Sequence, residues 1–163
     1  MGIRQLRYDG DEILRKKSRE VEIVDDRIRD ILNDMDETMH ANNGVGLSAV
    51  QVGILKRLVV IDVNYDNTPS LKLVNPVIVK QKGKQVCEKE GCLSFPNEFA
   101  KVIRPAEVTV KALNEYGKPI TIKAKELLAE CLCHEIDHLD GILFIDKMVP
   151  GTMEYIENTD END

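Results

Sequence analysis

Between Asp25 and His40 the apolar residues Ile28, Ile31, Leu32, Met35 and Met39 recur at three- and four-residue intervals, the spacing of one face of an α-helix. Asp25 or Asp26 can cap its first turn, and His40 closes it as polar surface. Upstream, residues 1–24 are charged, with Ile13, Leu14, Val21, Ile23 and Val24 as scattered anchors; this predicts an extended arm packed on the body. Downstream the period shortens. Leu58 to Val63 is a β-branched run that reads as a buried strand. Leu71 to Val79 is a second strand region, broken at Asn75-Pro76, and the chain turns at Gly83. Alternation over 107–113 and 118–124 sets Val108, Val110 and Ala112 opposite Ile120 and Ile122, across a turn at Asn114-Glu115-Tyr116-Gly117. That is a β-hairpin. Helical spacing returns near Lys125 and runs to Gly141, a suitable C-terminal residue; Leu127, Leu128, Ala129, Leu132 and Leu139 make this helix apolar. After the apolar run Ile142 to Ile145, the acidic tail from Glu154 to Asp163 is expected to fray. Together these elements predict an α+β fold: antiparallel β-sheets packed around a central helix, with an N-terminal amphipathic helix.

Composition narrows the function classes. The 163 residues read as one domain, 1–163, and 42% hydrophobic content fits a globular chain. The net charge of −7, with no basic patch beyond Arg15-Lys16-Lys17, argues against direct nucleic-acid binding. No apolar run approaches the roughly 20 residues of a membrane span. Arg4 and Arg7 are followed by acids and not by an apolar stretch, so a signal peptide is not expected and the chain reads as cytoplasmic. In that setting its four cysteines point to metal binding or buried thiols before disulfides.

The chemistry concentrates at His134-Glu135-Ile136-Asp137-His138. Two histidines one helical turn apart can converge on a single ion, and HExxH on a helix is a zinc-hydrolase signature in which the glutamate moves protons. A catalytic site of this type needs a third protein ligand. Gly141 is in register with a longer HExxHxxGxxH pattern, but its last position is Phe144, which binds no metal. Cys131 lies about 10 Å along the axis from His138 and reads as pocket wall; Cys133 points about 100° away from His134 and reads as structural. Cys87 and Cys92 remain as thiolate candidates. Cys92 sits on constrained backbone between Gly91 and Pro96, where a thiolate needs an electropositive partner. Gly44 to Gly53, with three glycines, permits close backbone approach. It lacks the lysine and spacing of a phosphate loop, and is either a tight structural turn or a substrate-hugging segment with Gln51 as a polar donor.

Three stretches, Gly44-Val-Gly-Leu-Ser-Ala-Val-Gln51, Glu90-Gly-Cys-Leu-Ser94 and His134-Glu-Ile-Asp-His138 with Leu139 and Gly141, resemble peptide deformylase in order and spacing. Val74-Asn75-Pro76 falls between the first two. The resemblance implies that Cys92, His134 and His138 bind one divalent metal, iron(II) as the native ion with zinc as an alternative. It implies Glu135 as general base and acid, and Gln51 with the Leu93 backbone N–H as oxyanion donors. Glu90 resembles the family's acid that pairs with a downstream arginine, here Arg104. Val45, Gly46, Leu127 and Cys131 are expected to line the substrate, at the methionine side-chain pocket. The implied substrates are nascent N-formylmethionyl peptides, with transient ribosome proximity and no membrane partner. Two departures stand out: Cys133 where the family often has Gln, and Ser48 in place of a common Ala; neither is expected to supply a catalytic group. Two rival readings are a zinc endopeptidase with a Cys-His-His site, and a non-catalytic zinc domain closed by Cys131 or Cys133.

Overall fold

The computed structural model describes residues 2–157. It is an α+β architecture with antiparallel sheets and few helices. Helix α1 is Asp26–Ala41, and the Asp25 side chain accepts from the Ile28 N–H at its start. After it come β1 Gly46–Ser48, β2 Leu58–Ile61, β3 Leu71–Lys82, β4 Gln85–Cys92, β5 Phe95–Arg104, β6 Glu107–Leu113 and β7 Pro119–Lys125. Helix α2 Glu126–Leu139, the short α3 Phe144–Lys147 and β8 Glu154–Tyr155 complete it. One sheet has the order β1-β2-β3-β6-β7, the other β4-β5-β8.

Strand β2 explains how the layers stack. Its four residues are all buried. Leu58 and Val60 join Ile31, Leu32, Met35 and Met39 of α1 in one core. Val59 and Ile61 point the other way, into a second core with Ala129, Leu132, Ile136 and Leu139 of α2. Period-2 alternation in a strand thus feeds two helices, one on each face. An isolated helix of this length is marginal in water. Burying a Leu or Met side chain contributes about 1.5–3 kcal/mol, and the fully buried Leu32, Met35 and Met39 anchor α1. A third core forms where Leu14, Phe95, Val102, Leu143 and Phe144 meet, with the Phe95 and Phe144 rings edge to face at 5.2 Å.

Several expectations are corrected. The arm is not extended throughout: Glu12–Arg15 is a 3-10 turn capped by Asp11, and Ile23 is exposed and anchors nothing. Asn75-Pro76 does not break β3. Asn75 takes φ +52° and the register shifts between Val74 and Val77, a bulge. Its side chain bonds both the N–H and the carbonyl of Val21, so the irregular residue ties the arm to the sheet. Residues 85–104 form a hairpin that local alternation did not announce, because bulges between Cys87 and Glu90 and between Gly91 and Cys92 break its period. Glu154 and Tyr155, expected to fray, pair with Phe99 and Glu98; the rest of the expected frayed tail, from 158 onward, lies outside the described residues. At the end of α2, Gly141 has φ +74°, and a Cβ there would stand 2.4 Å from the Arg15 carbonyl oxygen. Only glycine lets the arm pass so close.

Candidate metal centre and active site

Helix α2 buries His134, Glu135 and His138. Cys92 ends β4, just before the tight turn into β5. The fold brings these together: single donor atoms of Cys92, His134 and His138 lie within 4.8 Å of one another, and the Cys92 sulfur is 3.2 Å from Nε2 of His138. An ion with bonds of about 2.0–2.3 Å in tetrahedral geometry spaces its ligands about 3.3–3.8 Å apart, so the cluster is of the right size. Its chemistry also fits. Nδ1 of His134 contacts Oε2 of Glu90 at 2.6 Å, which leaves Nε2 as the nitrogen to offer an ion, the arrangement of a carboxylate-oriented metal ligand. Burial, with His134 beside it, pushes His138 down towards the neutral form that a ligand needs. Burial opposes charging His134, but Glu135, Cys92 and Glu90 outweigh it and draw positive charge to the spot. Among the described residues, neither Cys131 nor Cys133 joins the two histidines in such a cluster. Burial pushes both thiols up, Cys133 to about 11, so a four-ligand closed site is not formed. Cys87 pairs with Glu130 instead, and burial raises its thiol as well.

Glu90 is held from the other side. Arg104 donates to both its oxygens, from Nε at 3.1 Å and from Nη2 at 2.5 Å, and reaches Asp137 through Nη1 at 2.7 Å. Burial works against charge on Glu90, but His134 and Arg104 prevail and hold its carboxyl below the ordinary range. A bidentate arginine pair fixes direction as well as charge. Lys147 closes the chain of charges on Asp137 at 3.0 Å.

The segment from β1 packs onto this cluster. A Cβ on Gly46 would lie 2.7 Å from Glu135 Oε2, and one on Gly44 2.6 Å from Leu93 Cδ1; glycine permits the approach. Gln51, 1% exposed, donates from Nε2 to the Cys92 sulfur at 3.4 Å and to Ser94 Oγ at 3.1 Å. Its Oε1 accepts from the Ser48 N–H and hydroxyl, each at 3.0 Å. The Ser48 hydroxyl also lies 3.2 Å from Glu135 Oε1. From the sequence Ser48 is expected to supply no catalytic group; its one further signal is a polar side chain among small buried residues, 87 positions from the glutamate it meets. Glu135 itself is raised above the ordinary carboxylate range, chiefly by burial.

A cavity of about 610 Å³ opens onto Cys92, His134 and Glu135, with Val45, Gly46, Leu93, Leu127 and Cys131 in its walls. Val45 and Leu127 are 38% and 44% exposed, so they stand at its open side. His138 and Gln51 lie behind the lining.

An antiparallel α+β fold whose cavity ends on a thiol, an imidazole and a buried carboxylate is that of a hydrolase. The polypeptide deformylase family model matches residues 3–154. A peptide deformylase of Acetivibrio thermocellus is 58% identical over 91% of this chain and 85% of its own. The crystal structure of a peptide deformylase from Legionella pneumophila superposes with a TM-score of 0.88 at 46% identity, covering 91% of this chain and 88% of that one. One from Synechococcus elongatus, solved in complex with actinonin, gives 0.87 at 41%, covering 90% and 81%. The chain belongs to the peptide deformylase family. It is an enzyme that removes the N-formyl group from nascent peptides, and the family is metal-dependent.

Proposed function

We propose that Cys92, His134 and His138 hold the divalent cation and that Glu135 moves the protons of formyl hydrolysis. The carrying observation is the convergence of these three donors beside Glu135 at the end of the cavity. When bound, the cation supplies Lewis acidity that brings the pKa of a coordinated water from about 16 to near 7. Glu135 takes the proton of the attacking water and delivers it to the leaving methionine amine, a task suited to a carboxyl that burial has raised. Formate departs and a free amine remains. The Leu93 N–H and the Gln51 amide steady charge on the formyl oxygen; one such donor is worth about 3–4 kcal/mol of barrier. Both Gln51 N–H groups are engaged by Cys92 and Ser94, so this role requires one of those bonds to be exchanged for the substrate. Val45, Gly46, Leu127 and Cys131 receive the methionine side chain, while Glu90 and Arg104 hold His134 in direction.

In this reading residues 1–163 form one catalytic domain, with α2 as its central helix and α1 as the amphipathic N-terminal one. Iron(II) is the proposed native ion, as the resemblance implies; zinc is the competitor that intrinsic affinity favours. The enzyme works in the cytoplasm, in transient proximity to the ribosome from which its substrates emerge and without binding nucleic acid directly. No helix among the described residues is long and apolar enough to cross a membrane. The test is anaerobic purification with metal analysis and a formate-release assay on one preparation, with actinonin as a competitor. Release of formate from a formyl-Met peptide in proportion to bound iron supports the assignment. Activity in metal-free protein, or cleavage of internal peptide bonds in place of formate release, overturns it.

A further inference from the structure

Asn42, Asn43, Gly44 and Val45 join α1 to β1 and line the substrate cavity. Their far side is held by groups with no part in the proposed chemistry. His40, near the end of α1, sits among three acceptors: Nδ1 is 2.9 Å from the Asp36 carbonyl and 3.2 Å from Asp36 Oδ1, and Nε2 is 2.8 Å from Asp62 Oδ2. A carbonyl and an ionised carboxylate only accept, so in this geometry both ring nitrogens carry protons. Oδ1 of Asp62 accepts from the N–H groups of Asn64 and Tyr65, each at 3.0 Å, and the Asp62 N–H donates to the Val45 carbonyl at 2.9 Å. The turn so formed places Tyr65 at φ +50°, a left-handed backbone disfavoured for any residue with a Cβ. Strain of this kind persists where the surroundings over-determine it, and it points to a use. Here the use is reach. The Tyr65 ring packs on His40 with centroids 5.0 Å apart at 60°, and its hydroxyl donates to the Gly44 carbonyl oxygen.

We propose that His40, Asp62 and Tyr65 form a brace that positions residues 42–45 and so sets the substrate-binding wall of the cavity. None of the three lines that cavity; they face a separate hollow of about 280 Å³ with Asp36 and Ser70. They are positioning residues for peptide binding, and the bond-breaking groups do not depend on them. His134 is oriented by Glu90 and Arg104, and Gly46 against Glu135 is fixed by its own pairing with Ile61. Slack introduced at Gly44 is therefore confined to the connecting turn.

The inference rests on the site proposed above, and the two are separable: a metal-loaded wild-type chain that releases no formate refutes the site, whatever the variants do. The test is steady-state kinetics on a formyl-Met peptide, at matched metal content, for Tyr65→Phe, Asp62→Asn and the double variant. Tyr65→Phe removes one hydroxyl from a side chain that is 47% exposed, so it keeps the fold and decides the matter even if Asp62→Asn does not. Expected is a KM raised about three- to tenfold, the range one hydrogen bond spans, with kcat within about twofold. The double variant is expected to be no worse than the weaker single one, because both break the same brace. An unchanged KM in Tyr65→Phe, with or without a lower Tm, overturns the proposal, as does a fall in kcat at constant KM.

Discussion

Glu135 and Ser48 show how much hangs on single atoms. Glu135 is buried, raised and one bond from a hydroxyl it shares with Gln51. Glu135→Gln keeps the shape and the three proposed metal donors but cannot carry a proton. It is expected to retain the metal and to lose about a hundred- to ten-thousandfold in kcat, the usual worth of a general acid-base; metal analysis beside formate release checks both halves. Cys92→Ala removes the one sulfur of the cluster, and the protein should emerge from purification without its metal; a metal-replete, fully active Cys92→Ala enzyme would mean the ligand is misassigned. Ser48→Ala deletes a donor that has two acceptors within reach. With Gln51 Oε1 still held by the Ser48 N–H, a fall in kcat of about two- to tenfold is expected, with metal content unchanged. In the sequence Ser48 stands out only as a departure from a common Ala with no catalytic group expected of it, because a hydroxyl's partner across 87 positions leaves no local trace.

Element by element, the outcome depends on whether a segment's pattern is local. Ile28, Ile31, Leu32, Met35 and Met39, at helical spacing, are among the residues α1 buries, and Val108, Val110 and Ala112 pair with Ala124, Ile122 and Ile120 as alternation suggested. The β4–β5 hairpin was opaque, since its bulges put Glu90 inside and Cys92 at the turn against the simple period of two. That irregular hairpin carries the ion pair on which α2 leans. Arg104 and Glu90 are each 2% exposed. Removing one partner of a buried pair leaves an uncompensated charge, so Arg104→Met is expected to cost about 3–5 kcal/mol, read as a lower urea midpoint at constant slope. It should also weaken metal retention, because Glu90 would lose the group that aims it at His134.

Across the whole molecule, pH acts on charges that tie distant segments. His40 holds Asp62 below the ordinary carboxylate range, and Arg15 does the same for Asp146. A depressed folded pKa gives stability that is present above the unfolded value of about 4 and lost as pH falls through the folded one. His40 is raised, first of all by Asp62; its contribution is full below about 6.5 and is lost as pH rises through the raised folded value. The difference in urea midpoint between wild type and Asp62→Asn should therefore be greatest between about pH 4 and 6.5 and shrink on both sides; a difference that does not vary with pH would contradict the pairing. Metal binding acts on the same scale. Chelation should abolish formate release and lower Tm, and anaerobic iron(II) should restore both, since an ion that binds only the folded chain stabilises it.

By itself the sequence determined what is local or chemical: the apolar periods of α1 and β6–β7, the glycines of the 44–53 stretch, and a set of donor residue types too specific to ignore. Side-chain spacing within a few residues follows from backbone geometry, and ligand chemistry follows from atom type, so both can be read from a string. The resemblance already pointed to Cys92 as the cysteine beside the histidines and to the Glu90–Arg104 pair; only the tertiary structure decided that Glu90 also meets His134, that Ser48 touches Glu135, and that Tyr65 reaches back to Gly44. Each of those contacts closes a long loop of chain, and which loops close depends on how the two sheets and their helices pack, a property of the whole molecule that no single segment carries.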